Sequence, residues 1–156
     1  MSVRVADRGE SKTEYLEAAR VLAVKVGKIA GNAPHKYKAS FCDHMIKTTL
    51  DIYCHLQVAQ SIYVACGANA ERDYAQRRTH LKEARGLVNH VSATARVYFG
   101  VVVDCDGYNR EKALKQQHSI GDICSRLAAL VDGTIEWDAA NIRKIRKKVQ
   151  SLTVGI

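Results

Sequence analysis

The sequence contains few residues that break helices and no long apolar run. One proline, Pro34, and 10 glycines occur among 156 residues, which favours long helices over strands and turns. No uninterrupted apolar segment approaches the roughly 20 residues that span a bilayer, so we expect no transmembrane helix. Because convincing alternation of polar and apolar residues is also missing, the sequence predicts an all-α fold.

Cysteine and histidine are present, but not at the spacings that build metal sites or disulfide frameworks. The five cysteines include no CxxC pair and follow no signal peptide, so we expect free thiols in a cytoplasmic protein. The six histidines form no H-x3-H, HExxH or ExxH motif, and we therefore predict neither a metal site nor a cofactor. No GxSxG motif and no glycine-rich phosphate loop occurs, so a catalytic role is not indicated.

Positive charge is in excess. Lys and Arg total 24 against 16 for Asp and Glu, which gives a formal net charge of +8. A surplus of this size is typical of proteins with an anionic partner, most often nucleic acid. The plain alternative is a basic soluble protein that binds no anion specifically.

Apolar residues at three-four spacing predict two amphipathic helices in the first half of the chain. The first is expected to begin at the capping box that runs from Ser11 to Glu14 and to end near Gly31. The second is expected to run from Ser40 to Gly67.

Two further helices are predicted in the second half, with Asn69 and Asn109 as their N-caps. The apolar stripe of the third helix repeats with the seven-residue rhythm of helices packed at a shallow angle. Its members are Leu81, Ala84, Val88, Val91, Ala95, Tyr98 and Val102. We expect the fourth helix to end at Asp132–Gly133. Since every connector is short, the simplest topology is an up-down-up-down four-helix bundle.

These boundaries divide the chain into three parts. They are a flexible N-terminal extension over residues 1–10, a four-helix bundle over 11–133 and a basic amphipathic C-terminal tail over 134–156. Within the tail, Ile142, Ile145 and Val149 share one face, while five cations lie within six residues and no acid separates them. We expect this tail to lie outside the packed core.

The charge pattern supplies the candidate nucleic-acid contacts. On the third helix, Arg78, Lys82, Arg85 and Arg96 fall on one stripe with Arg77 beside it, and such a ladder can follow phosphates. An ordinary solvated helix face is the alternative interpretation. With the connector after Pro34 and the tail, the predicted contacts are Lys36, Lys38, Arg77, Arg78, Lys82, Arg85, Arg143, Lys144, Arg146, Lys147 and Lys148. A basic amphipathic tail can also bind a partner helix or, less favourably here, a membrane surface.

One short motif favours an enzyme instead. The segment from Arg85 to His90 has the Arg-x4-His spacing of HEPN-type ribonucleases, which are helical bundles. That resemblance implies that Arg85 and His90 act together on an RNA phosphodiester.

A broader resemblance begins at the segment Gly27-Lys-Ile-Ala-Gly-Asn-Ala-Pro34, which precedes a basic loop and a long amphipathic helix. This arrangement resembles the four-helix-bundle family of 23S rRNA intervening-sequence proteins, and within it the accessory variability determinants (Avd) of diversity-generating retroelements. The likeness covers residues from about Glu14 to Asp132 and depends mostly on bundle patterning. The N-terminal extension, the extra cysteines and the basic tail depart from the family.

The resemblance implies a non-catalytic accessory protein. Avd-like proteins form basic homopentameric barrels that associate with a retroelement reverse transcriptase and its template RNA, and the complex supports mutagenic cDNA synthesis. We therefore expect RNA or DNA, a reverse transcriptase and further copies of the chain as partners. Two rival hypotheses are the HEPN-like ribonuclease and a bundle adaptor that binds only protein.

Overall fold

The structure, a computed structural model, describes residues 5–105 and 107–153, and these residues form helices and short connectors without a strand. We label the four long helices α1 (Val5–Gly31), α2 (Asp43–Ser61), α3 (Ala70–Val102) and α4 (Arg110–Thr153). The prediction of an all-α fold is confirmed. Among the described residues, no helix combines the length and the apolar character that crossing a bilayer requires.

The four helices surround one shared hydrophobic core. Helices α1 and α3 each pack against both α2 and α4. His44 on α2 contacts His90 on α3, and His55 contacts His80, so these two helices run in opposite directions. The largest side chains that the core buries completely include Tyr15, Leu22, Met45, Leu56, Leu81, Tyr98, Phe99 and Leu127. Burial of each such side chain contributes about 1.5–3 kcal/mol, so this core is the main stabilising element.

The sequence pattern was most accurate for α3. All seven residues of its predicted apolar stripe are buried. Asn109 is confirmed as the cap of α4, because its Oδ1 accepts a hydrogen bond from the backbone N–H of Lys112 at 2.9 Å. Asn69 precedes α3 as predicted, but its side chain makes no capping hydrogen bond.

Helix α1 begins at Val5, so the predicted start at Ser11 is wrong. A capping box marks a helix start only if the chain before it leaves the helical conformation. The segment before Ser11 contains no proline, and the helix continues through it. Residues 1–4 of the predicted N-terminal extension lie outside the described residues.

The helical segment that contains α2 begins and ends earlier in the chain than predicted. A helical turn, His35–Tyr37, and a π-helical segment, Lys38–Cys42, lead into α2 without a gap. The helix ends at Ser61 and not at Gly67, and the following residue, Ile62, is extended. The last carbonyls of a helix need hydrogen-bond donors from elsewhere. Arg77 supplies them here, because its Nη1 donates to the carbonyl oxygens of Ala59 and Ile62.

The predicted stop at Asp132–Gly133 is also wrong, since α4 continues to Thr153. A glycine inside a helix costs about 1 kcal/mol relative to alanine, and packing beyond it offsets that cost. Ile142 is buried in a second apolar cluster with Ala70 and Tyr74, which lie at the start of α3. The described part of the predicted tail is therefore a helical extension packed on α3, and residues 154–156 lie outside the described residues.

Candidate nucleic-acid interface

Arg77 lies inside the protein and not on its surface. Its side chain is 9% exposed, and its Nε donates to Asp138 Oδ2 at 2.6 Å. A desolvated guanidinium needs such a carboxylate and further acceptors, here the carbonyls at the end of α2. Burial raises the pKa of the adjacent Tyr15 hydroxyl, and the charge of Arg77 opposes that shift. Arg77 cannot reach a phosphate in this conformation, so its prediction as a nucleic-acid contact is wrong.

Arg85 is at the surface, but a carboxylate already neutralises part of its charge. Its side chain is 29% exposed, and its Nε donates to Asp132 Oδ2 on α4 at 2.9 Å. The Nη1 atom donates to Asn89 Oδ1, one turn further along α3. Arg85 is therefore held against α4 and remains only partly available to phosphate.

Arg85 and His90 do not converge within the chain. The guanidinium of Arg85 is bonded to Asp132 on α4, whereas the imidazole of His90 contacts His44 on α2. The ribonuclease hypothesis requires both groups to act on one phosphodiester. This arrangement directs them towards different neighbouring helices.

Arg146 joins the helical extension to the start of α3. Its Nε and Nη2 donate to the two carboxylate oxygens of Glu71 at 2.7 and 2.8 Å. The hydrogen bonds from Arg146 lower the pKa of the Glu71 carboxyl. Because both side chains are more than half exposed, the pair adds little stability, but it orients Arg146 along α3.

Seven of the predicted contacts are exposed and form no ion pair with a described carboxylate, and all of these except Lys36 lie on α3 or α4. These six are Arg78 and Lys82 on α3 with Arg143, Lys144, Lys147 and Lys148 on α4. We call this set the α3–α4 basic surface. Arg78 lies over the ring of Tyr74, with 5.9 Å between its guanidinium carbon and the ring centroid. The Nε of Arg143 donates to the carbonyl of Ala139 in its own helix.

The two halves of this surface lie at the same end of the fold. Arg77 pairs with Asp138 and Glu71 with Arg146, so α3 and α4 run side by side in opposite directions. Arg78 therefore lies near the level of Asp138 on α4. Because a helix rises 1.5 Å per residue, Arg143 lies about 8 Å further along α4. The two groups of cations therefore lie at neighbouring levels of two adjacent helices.

Lys36 and Lys38 lie elsewhere. The ammonium of Lys36 lies 4.8 Å from the ring centroid of Tyr37, and the Tyr37 hydroxyl accepts a hydrogen bond from Cys105 Sγ. Cys105 follows the C-terminal end of α3, whereas the α3–α4 basic surface lies near its start. A helix of 33 residues is about 50 Å long. The predicted contacts thus form two separate surfaces.

The structure also pairs four of the six histidines, which the sequence did not predict. His44 and His90 place their Nε2 atoms 2.7 Å apart, and His55 and His80 place their Nδ1 atoms 3.0 Å apart. Metal-binding sequence motifs place their ligands within one helix, whereas these pairs join two helices. Among the described residues, no group of three His, Cys, Asp or Glu side chains could hold a metal ion.

Comparisons with known proteins identify no relative: no protein-family model, curated protein or solved structure matches this chain. The α3–α4 basic surface is therefore characterised by its own geometry and charge.

Proposed function

We propose that this chain is a non-catalytic accessory protein that binds RNA through the α3–α4 basic surface. The observation that carries the proposal is the concentration of six exposed cations, none paired with a described carboxylate, on two adjacent helices at one end of the fold. Cations in such an arrangement replace the counterions of several neighbouring phosphates at once. Phosphate contacts position a nucleic acid without reading its sequence, which suits a scaffold more than a sequence-specific regulator.

The other predicted contacts take different roles in this proposal. Arg85 and Arg146 flank the surface and contribute less, because Asp132 and Glu71 already compensate their charges. Lys36 and Lys38 are too distant for the same phosphates, so we assign them to a second segment of RNA or to the protein partner.

The proposed partner is a retroelement reverse transcriptase with its template RNA, as the resemblance to the Avd family suggests. In this proposal the chain adopts the up-down-up-down topology, acts in the cytoplasm and assembles as a homo-oligomer, with five subunits as in that family. Exposed apolar side chains support subunit contacts, since Tyr63 is 77% exposed, Val97 57% and Leu50 53%.

The test compares two variants that lose the same charge. The first, Lys144→Gln/Lys147→Gln/Lys148→Gln, removes three cations of the α3–α4 basic surface. The control, Lys28→Gln/Lys47→Gln/Lys112→Gln, removes three exposed lysines from other surfaces. Labelled single-stranded RNA is titrated at several salt concentrations, and the slope of log K against log salt is measured.

Single-stranded binding loses a slope of about 0.7 for each phosphate contact removed, so the first variant should flatten the slope by about 2. The control variant should leave the slope nearly unchanged. The loss of affinity in the first variant should be similar for unrelated RNA sequences. Equal slopes for the two variants would show that net charge alone attracts RNA and would overturn the proposed surface.

A further inference from the structure

The interface between α2 and α3 contains two histidine pairs. His44 and His55 are 11 residues apart on α2, and 11 residues make just over three full turns, so both lie on the same stripe. Their partners, His90 and His80, follow in reverse order on α3. The ring centroids are 4.9 Å apart in the first pair and 5.3 Å apart in the second.

We propose that each pair is a binding site for one divalent transition-metal ion, which would join α2 to α3. Imidazole nitrogen is a preferred ligand of Zn²⁺, Cu²⁺ and Ni²⁺, whereas Mg²⁺ and Ca²⁺ require oxygen ligands. A pair of imidazoles therefore favours Zn²⁺, Cu²⁺ and Ni²⁺ over Mg²⁺ and Ca²⁺. The proposal is independent of RNA binding.

The distances suit two ligands of one ion. Metal–imidazole bonds are about 2.0–2.1 Å long, and two of them at a right angle place their nitrogens about 2.9 Å apart. The Nδ1 atoms of His55 and His80 are 3.0 Å apart and need almost no movement. The Nε2 atoms of His44 and His90 are 2.7 Å apart and must move slightly further apart, which exposed side chains can readily do. Right-angled coordination is typical of Cu²⁺ and Ni²⁺.

The two sites are mononuclear and independent. Eleven residues of helix correspond to about 16 Å, which is far beyond the roughly 4 Å between the ions of two-metal centres. No third His, Cys, Asp or Glu of the described residues completes either site, so water fills the remaining positions. We therefore expect exchangeable metal that stabilises the α2–α3 contact. An ion that binds the folded chain but not the unfolded one raises the unfolding temperature.

Ni²⁺ is the probe of choice, because copper would also react with the exposed thiols of Cys54 and Cys66. Untagged protein is titrated with NiCl₂ by calorimetry at about pH 7.5. We expect two ions per wild-type chain and one for each of the variants His44→Gln/His90→Gln and His55→Gln/His80→Gln. The control His35→Gln/His118→Gln removes the two histidines outside the pairs and should still bind two.

A second measurement needs no variant. Diethyl pyrocarbonate modifies accessible histidines, and mass spectrometry locates the modified residues in wild-type protein. Ni²⁺ should protect the four paired histidines and leave His35 and His118 as reactive as before. Absence of Ni²⁺ binding to wild-type protein, or undiminished binding after all four paired histidines become Gln, would overturn the proposal. In that case the pairs are only hydrogen bonds between two imidazoles.

Discussion

Arg77 and Asp138 form a buried ion pair that joins the first third of α3 to the extension of α4. Their closest atoms are 2.6 Å apart, and the side chains are 9% and 5% exposed. The same guanidinium holds the last carbonyls of α2. One side chain thus connects three helices, and the segment that the sequence predicted as a separate tail is part of the packed fold.

We expect Asp138→Ala to lower the free energy of unfolding by about 3–5 kcal/mol, because it leaves the charge of Arg77 buried without compensation. Urea unfolding followed by circular dichroism measures this difference. The double variant Arg77→Met/Asp138→Leu should recover much of the loss, since apolar residues can replace a buried ion pair. Glu71→Ala, which breaks the exposed pair with Arg146, should change stability little. A loss for Glu71→Ala as large as that for Asp138→Ala would contradict this account.

Ile142→Ala should destabilise the protein by about 2 kcal/mol or more, because it empties the second apolar cluster beside Ala70 and Tyr74. Ile142 is 2% exposed, whereas Leu114 on the same helix is 44% exposed. Leu114→Ala removes a side chain of the same size and serves as the matched control, with a clearly smaller effect. The melting temperatures of both variants, measured by thermal unfolding, test this prediction. Indistinguishable melting temperatures would mean that the extension is not packed in solution.

Asp132→Asn should strengthen RNA binding, because it releases Arg85 from the carboxylate that now compensates its charge. One additional phosphate contact steepens the salt dependence of single-stranded binding by about 0.7. Arg85→Ala should weaken binding modestly, and the RNA should remain intact with every variant. Gel analysis of RNA after incubation with wild-type protein is the check. Cleavage that His90→Ala abolishes would establish the ribonuclease hypothesis in place of the proposed scaffold.

The thiol of Cys124 should make stability depend on pH above 9. Burial raises the pKa of this thiol from 9.0 to about 11. The unfolded chain therefore ionises first as pH increases, so the contribution is complete below pH 9 and is lost as pH rises towards 11. Unfolding free energies measured across this range should fall less steeply for Cys124→Ala than for wild type. Iodoacetamide at pH 8 should modify Cys54 and Cys66, which are exposed, well before Cys124.

The sequence by itself determined the helical class and the inner face of α3. Residues from Leu81 to Val102 repeat with helical period, and period is a local property that persists whatever the helix packs against. The cap at Asn109 is equally local, because it depends on one side chain and the next turn of backbone. Such features need no knowledge of the neighbouring helices.

Tertiary structure decided the ends of helices and the roles of charged side chains. Gly133 is of a residue type that often follows a helix. Local interactions stabilise the end of a helix only weakly, and burial of Ile142 against α3 outweighs the local cost of the glycine. Arg77 and Arg78 are neighbours in sequence and differ by about 100° around the helix, which places one in the core and the other at the surface. The charged stripe that contains Arg78 lies beside the core stripe, so a pattern of charges alone could not assign either residue.

The histidine pairs depend on the same kind of information. His55 and His80 belong to different helices, and their meeting requires one particular axial register between α2 and α3. A shift of one turn, 5.4 Å, would separate all four paired histidines while leaving every sequence pattern intact. Register is set by how the large core side chains interlock across the interface. Only the packed structure contains that information.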